Sequence, residues 1–158
     1  MRLIDSHVHF WNPDHLRYDW LDGIDTLNRS FLPADYKVAN GEHIVEGIVF
    51  VEAGANNPLE EVQWVETLDA PIKAIVANAT LEIEDGREAL LEAYAARSLV
   101  KGIRRNYQDE AAGFAEQTSF IEGIRSLKNY DLSFDICIKS HQLDETIELV
   151  RKLPDVQF

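Results

Sequence analysis

Six short apolar runs alternate with helix-like segments along the chain, and this alternation restricts the possible folds more than any other feature. The runs begin near residues 3, 47, 73, 100, 132 and 155. Residues 47–51 read Gly-Ile-Val-Phe-Val, an apolar run typical of a strand that is buried on both faces. Helices are predicted in the gaps, so the series predicts parallel strands joined by right-handed crossovers.

The segments between the apolar runs carry recognisable helix signals. Asn57 is a typical N-cap, Pro58 suits the first helical position, and Glu60 completes a capping box. Further helices are predicted after the third, fourth and fifth strands, and Pro154 ends the last of them. A shorter helical signal follows Pro33 at the end of a long, polar and aromatic loop.

A (β/α)8 barrel is the fold class that this series predicts. Such barrels typically need ~250 residues, whereas this chain has 158. We therefore expect residues 1–158 to form the N-terminal part of one barrel domain, with five β/α units, truncated at strand 6. The chain by itself is expected to be inactive and poorly soluble, because it would leave strand edges open. No glycine-rich nucleotide fingerprint or P-loop follows a predicted strand, which argues against a doubly wound nucleotide-binding sheet.

The charge balance excludes several classes of partner. The chain has 15 basic and 28 acidic residues, a formal net charge of -13, whereas phosphate binding needs clustered lysine and arginine.

No apolar run reaches the ~20 residues of a membrane helix, and the N-terminus does not fit a signal peptide. The single cysteine excludes an internal disulfide. We expect a cytoplasmic protein with no nucleic-acid or membrane partner.

The first predicted strand carries the sharpest chemical signal, Asp5-Ser6-His7-Val8-His9. Because strand side chains alternate between faces, Asp5, His7 and His9 are expected on one face. In a barrel the two histidines would lie at the carboxyl end of the strand, where barrel active sites form. Two imidazoles there can bind one divalent metal, with Asp5 orienting a histidine from behind. A chance H-x-H pattern is the alternative, and its place at a strand end favours the site.

Three further residues follow predicted strands and are candidates for the same site. Glu52, after strand 2, could bind a metal, a substrate hydroxyl or a proton, or form a salt bridge to Arg104. Arg104 ends strand 4, where its guanidinium would bind a carboxylate or polarise a carbonyl. Alternation allows only one of Arg104 and Arg105 to face the centre. His141 follows strand 5, with helix capping or a surface position as the alternative.

Several segments together resemble the amidohydrolase superfamily, in its branch of L-fuconolactonase-like and 2-pyrone-4,6-dicarboxylate lactonase-like hydrolases. They are Ile-Asp-Ser-His-Val-His-Phe-Trp at 4–11, Arg-Tyr-Asp-Trp-Leu at 17–21 and Phe-Leu-Pro-Ala-Asp-Tyr at 31–36. Val-Phe-Val-Glu-Ala at 49–53, Val-Lys-Gly-Ile-Arg-Arg at 100–105, His-Gln-Leu at 141–143 and Leu-Pro-Asp-Val at 153–156 continue it. The similarity therefore extends over nearly the whole chain.

The resemblance implies a distorted (β/α)8 barrel of the metal-dependent hydrolase type that opens a lactone with activated water. His7 and His9 match the family's strand-1 pair, as metal ligands and catalytic residues. Arg104 matches an arginine that contacts the substrate carbonyl or carboxylate, and Glu52 and His141 match pocket positions. The implied substrate is a small anionic or sugar-derived lactone. The family's strand-6 histidine and its water-activating aspartate correspond to positions beyond Phe158.

The resemblance also bears on the metal and on rival functions. It implies at most one divalent metal, because no lysine is placed to bridge two ions. Zinc is the first choice of metal. The branch also includes members that use no metal. A metal-dependent decarboxylase of the same superfamily is one alternative function, and a non-catalytic truncated barrel is another. A homo-oligomer is compatible with all three.

Overall fold

Five strands and five α-helices alternate along the chain in the computed structural model, which describes residues 2–158. The strands are β1 (Arg2–Val8), β2 (Ile44–Val51), β3 (Ile72–Asn78), β4 (Val100–Arg104) and β5 (Ser133–Asp135). The helices are α1 (Pro33–Ala39), α2 (Pro58–Val65), α3 (Arg87–Ala95), α4 (Thr118–Ser126) and α5 (Leu143–Lys152). The predicted β/α alternation is thus confirmed. The chain divides into two units, Met1–Ala77 and Asn78–Phe158.

The first unit is built on parallel strands. β1 pairs with β2, and β2 pairs with β3, all in parallel. The apolar run in β2 buries Ile48, Phe50 and Val51, as expected for a strand covered on both faces. Helix α2 begins as predicted, because the Glu60 backbone N–H donates to Asn57 Oδ1 at 3.3 Å.

β1 contains a bulge at Ser6 and His7, the first residue of the histidine pair. Asp5 pairs with Ile48 and Val8 pairs with Phe50, so two residues of β1 lie opposite the single residue Val49. A bulge of this kind bends the strand and re-aims its side chains. Strict alternation, from which a shared face of Asp5 and both histidines is predicted, therefore does not hold between Asp5 and Val8.

The second unit contains the parallel pair β4 and β5 with helices α3, α4 and α5. Gly102, Ile103 and Arg104 of β4 lie opposite the three residues of β5 in order. A Cβ at Gly102 would lie 2.5 Å from Ser133 Oγ, so the Ser133 side chain would have to move to admit it. The largest fully buried side chains of this unit are Tyr94, Tyr107, Phe120 and Phe134, together with Leu81 and Leu91. Aromatic packing thus forms much of its core.

The strand expected near residue 155 is wrong, whereas the strand predicted at 132–138 is confirmed but shorter. Residues 155–158 form no strand, although the structure describes them, and β5 covers only part of the predicted run 132–138. The Phe134 N–H nevertheless donates to Gln157 O at 2.8 Å, so the backbone there lies beside β5. One such bond does not make a ladder, and a strand forms only when its neighbours pair with it repeatedly.

The helices of residues 2–158 differ from membrane spans. None of them combines the length and the apolar character that crossing a bilayer requires.

Candidate active site

His7 and His9 come together at the carboxyl end of β1. Their Nε2 atoms lie 3.0 Å apart, and their rings meet edge to face with centroids 4.8 Å apart. His7 is exposed at the bulge, whereas His9, one residue beyond the strand, is half-buried. The two ring nitrogens therefore lie within hydrogen-bonding distance of each other.

The tautomer of His9 is determined by a backbone carbonyl of β2. His9 Nδ1 lies 2.8 Å from Val51 O, and because a carbonyl oxygen can only accept, Nδ1 carries the proton. In the neutral ring, Nε2 then keeps its lone pair and faces His7. This is the arrangement in which metal-binding histidines are usually held.

Asp5 acts on His7 through the backbone and not through the imidazole. Its Oδ1 accepts the His7 backbone N–H at 3.2 Å, and its Oδ2 accepts the Tyr36 hydroxyl at 2.8 Å. Asp5 thus ties the bulge of β1 to α1. Burial, and then the bond to Asp5, raise the pKa of Tyr36, which keeps its hydroxyl a donor.

The histidine pair fits part of a metal-binding set. Two nitrogens bound to one ion at ~2.0–2.1 Å can be at most about 4 Å apart, and the observed 3.0 Å satisfies that limit. Among residues 2–158, however, no group of three or more histidine, cysteine, aspartate or glutamate side chains is placed to hold a metal. His7 and His9 could therefore provide two nitrogen donors to one ion.

Glu52 follows β2 directly and belongs to the same unit as the histidines. It is 3% exposed, and its backbone N–H donates to Val76 O at 2.9 Å, which extends the pairing of β2 with β3. A buried carboxylate at a strand end needs compensating partners and is a common functional feature. The preceding residue, Val51, provides the carbonyl that holds His9.

A wall of aromatic side chains adjoins His9. Trp11 packs against Phe31 and Trp20, with ring centroids 4.3 Å and 5.8 Å away. A cavity of about 480 Å³ is lined by His9 together with Trp11, Phe31 and Tyr36. This volume is in the range of small-molecule pockets.

Arg104 and Arg105 have different surroundings within the second unit. Arg104 is the last residue of β4, lies opposite Asp135 and is half-buried. Arg105 Nη2 lies 2.6 Å from both Glu82 Oε1 and Glu110 Oε1. Burial opposes the Arg105 charge, but the bonds to the two carboxylates outweigh it and raise the pKa of Arg105. Arg105 is therefore committed to an ion-pair network with Glu82 and Glu110.

His141 lies in a one-turn 3-10 helix, Ser140–Gln142, that leads into α5. It is exposed and lines a cavity of about 390 Å³ together with Glu116 and Glu145. The capping contact at this turn comes from Gln142, whose Oε1 accepts the Lys139 N–H at 2.9 Å. Arg104 and His141 thus belong to the second unit, whereas His7, His9 and Glu52 belong to the first.

Sequence reasoning missed one buried acid beside Glu52. Glu61, in the first turns of α2, is 1% exposed and accepts hydrogen bonds from the backbone N–H groups of Ala53 and Ala55. Its position near the start of a predicted helix is a weak signal, because acidic residues are common there. The contact joins the helix to the turn after β2, and pattern alone does not show it.

Comparison with known proteins gives consistent matches. The model of the family described as Amidohydrolase matches residues 4–158. The uncharacterised protein y4mH of Sinorhizobium fredii is 25% identical over an alignment 179 residues long, which covers 99% of this chain and 60% of that protein. The chain therefore spans less than two thirds of this curated relative.

Solved structures match at the level of the fold. Amidohydrolase 2 from Bifidobacterium longum subsp. infantis has a TM-score of 0.74 at 23% identity, over 99% of this chain and 59% of that one. An amidohydrolase from Burkholderia multivorans with bound zinc has a TM-score of 0.73 at 25% identity, over 94% and 53%. A probable 2-pyrone-4,6-dicarboxylic acid hydrolase from Acinetobacter baumannii, with citric acid bound, has a TM-score of 0.61 at 15% identity, over 100% and 56%.

The predicted fold class, part of a (β/α)8 barrel of the amidohydrolase type, is confirmed by these superpositions. The resemblance inferred from the H-x-H strand and the later segments is confirmed by the family match, which runs from residue 4 to residue 158. The chain therefore belongs to the amidohydrolase family.

Proposed function

We propose that the complete protein is a hydrolase that opens a small lactone, a cyclic carboxylic ester, by attack of water. The observation that carries this proposal is the histidine pair, with Nε2 atoms 3.0 Å apart and the His9 tautomer held by Val51 O. Membership of the amidohydrolase family supports the hydrolase class.

His7 and His9 would act on the carbonyl of the scissile ester. They would hold one divalent ion, zinc before others, and the chemistry that such an ion supplies when bound is polarisation of a carbonyl oxygen. The zinc bound by the Burkholderia amidohydrolase supports this choice of metal. The bond from His9 Nδ1 to Val51 O keeps the ring oriented, so no reorganisation is needed when negative charge develops on the carbonyl oxygen.

The remaining residues would bind and orient the substrate. Arg104 provides a planar, permanently charged fork that suits the carbonyl or a carboxylate of the lactone. Glu52 and His141 are proposed to contact its polar groups. We propose a small anionic or sugar-derived lactone as substrate, since an arginine at a strand end is a local positive charge in a chain of net charge -13. We also propose a cytoplasmic location.

The test is a panel of sugar-acid lactones and pyrone carboxylates, assayed with the complete protein in a pH-stat, with and without chelator. We expect ring opening of at least one compound, and a loss of about 100-fold or more in kcat/KM for His7→Ala and His9→Ala. His43→Ala, an exposed histidine of the same unit, is the matched control. Folded protein that opens no lactone in the panel would overturn the proposal, and release of carbon dioxide would point to a decarboxylase.

A further inference from the structure

We propose that Glu61 is a positioning residue for this reaction, because its buried carboxylate holds the turn that presents Glu52. We call residues 52–55 the Glu52 turn. The inference rests on the proposed lactone hydrolysis and adds to it a residue that never touches the substrate. It predicts that Glu61 acts through Glu52.

The carboxylate of Glu61 accepts hydrogen bonds from two peptide N–H groups of the Glu52 turn, those of Ala53 and Ala55. Oε1 accepts the N–H groups of Ala53 at 3.2 Å and of Ala55 at 3.3 Å, and Oε2 lies 3.3 Å from the same Ala53 nitrogen. Glu61 is 1% exposed. A carboxylate buried to this extent is tolerated only where its hydrogen-bonding capacity is used, and the N–H groups of the Glu52 turn use part of it.

The opposite side of the Glu52 turn is held by Trp20. Its Nε1–H donates to Ala53 O at 2.8 Å. Gly54 has φ +77, a left-handed conformation, and a Cβ at this position would lie 3.2 Å from Trp20 Cδ1. Only glycine adopts such a backbone against an indole without strain. The peptide groups around Gly54 are therefore fixed from both sides.

The contacts from Glu61 and Trp20 hold the backbone next to Glu52, and Val51, which contacts His9, directly precedes it. Glu52 begins the turn, and the point that a Gly54 Cβ would occupy lies 4.0 Å from Glu52 Oε2. Val51, the residue before it, accepts the bond from His9 Nδ1. A shift of the turn would displace the Glu52 carboxylate first. Displacements of about 1 Å in a catalytic constellation cost on the order of 100-fold in rate.

A double-mutant cycle separates positioning from a purely structural role. In the complete protein, kcat/KM for the best lactone is measured for Glu61→Ala, Glu61→Gln, Glu52→Gln and the pair Glu61→Ala with Glu52→Gln. All assays are run at a temperature where each variant is folded by circular dichroism. Glu60→Ala, an exposed glutamate on the same helix, is the matched control.

We expect Glu61→Ala to lower kcat/KM by about 10- to 100-fold. Glu61→Gln should stay within about threefold of the wild type, because its remaining amide oxygen can still accept both N–H groups, and Glu60→Ala should match the wild type. In the Glu52→Gln background, Glu61→Ala should add less than about threefold, since the group it positions is already altered.

Four results would overturn the inference. Equal losses from Glu61→Ala in both backgrounds would show that Glu61 acts independently of Glu52. Wild-type activity of Glu61→Ala, or of Glu52→Gln, would remove the positioning role. A folded wild type that opens no lactone would overturn the proposed function and this inference together, whereas an active wild type with independent effects would overturn only the inference.

Discussion

At the scale of single residues, one backbone carbonyl oxygen determines which ring nitrogen of His9 carries the proton. Val51 O accepts the Nδ1 proton at 2.8 Å, so the lone pair of the neutral ring lies on Nε2, toward His7. Asp5 has a comparable role for the backbone of His7, whose N–H it accepts at 3.2 Å. The bulge in β1 and the end of β2 therefore orient the two imidazoles together.

This geometry predicts metal-dependent stabilisation. Zinc at 100 times its dissociation constant should stabilise the complete protein by about 2.7 kcal/mol, since an ion that binds only the folded state favours it. His7→Ala and His9→Ala should lose most of this gain, and His43→Ala should keep it. Urea unfolding with and without zinc measures the effect. An equal gain in all four proteins would show that the ion binds elsewhere.

Asp19 predicts a pH dependence of stability. Bonds to Asn56, and then to Arg17, hold the pKa of Asp19 below its usual value. A carboxyl group with a lowered pKa in the folded state stabilises the fold above the unfolded pKa of about 3.9. That contribution is lost as the pH falls through the folded value.

Asp19→Asn should therefore melt at a lower temperature than the wild type at pH 7. The difference in melting temperature between Asp19→Asn and the wild type should narrow as the pH falls below about 4. Differential scanning calorimetry from pH 7 to pH 2.5 measures it, with the exposed Asp25→Asn as the control. A gap that stays constant over this range would contradict the assignment.

At the scale of elements, close packing explains why a glycine stands inside a helix although its helix propensity is poor. α4 packs its Gly123 directly on the backbone of Leu81, where an added Cβ would lie 2.1 Å from the carbonyl oxygen. Alanine is favoured over glycine by about 1 kcal/mol in a helix interior, so propensity alone would predict stabilisation. The close approach reverses that sign.

Gly123→Ala should destabilise the protein by about 2 kcal/mol, because α4 must move away from residue 81. Glu122→Ala, at an exposed position of the same helix, should change stability by less than about 0.5 kcal/mol. Urea unfolding curves of both variants measure the difference. A stabilised Gly123→Ala protein would show that the helix has room to shift.

At the scale of the whole molecule, exposed apolar side chains stand against a strongly acidic composition. Ile4, Val38 and Ile44 of the first unit are 67%, 82% and 58% exposed, in a chain whose net charge is -13. Charge repulsion favours solubility, whereas large exposed aliphatic groups favour association. The balance of these two effects can be measured directly.

The 158-residue chain expressed alone is expected to associate, and Val38→Lys should increase its monomeric fraction. Lysine suits this position because it lies in the last turn of α1. Ala34→Lys adds the same charge to the same helix without removing a large apolar group, so it should have a smaller effect. Size-exclusion chromatography compares them. A monomeric, cooperatively melting wild-type chain would contradict the expectation.

Sequence alone determined the elements whose causes are local. The apolar run at 47–51 and the Asn57 cap predict β2 and α2 correctly, because burial pattern and capping act over a few residues. The H-x-H motif at a strand end identifies the histidine pair for the same reason. The family resemblance followed from the joint order of such segments.

The tertiary structure decided the features that depend on contacts between residues far apart in the sequence. The bulge at Ser6 and His7 exists because β1 must register with β2, and the role of Glu61 exists because α2 folds back onto the turn after that strand. Arg105 differs from Arg104 because it forms ion pairs with Glu82 and Glu110. The sequence pattern does not show that these residues lie close together. Residues 155–158 make a single backbone bond to β5, and a strand needs repeated pairing with a neighbour, which their own sequence does not supply.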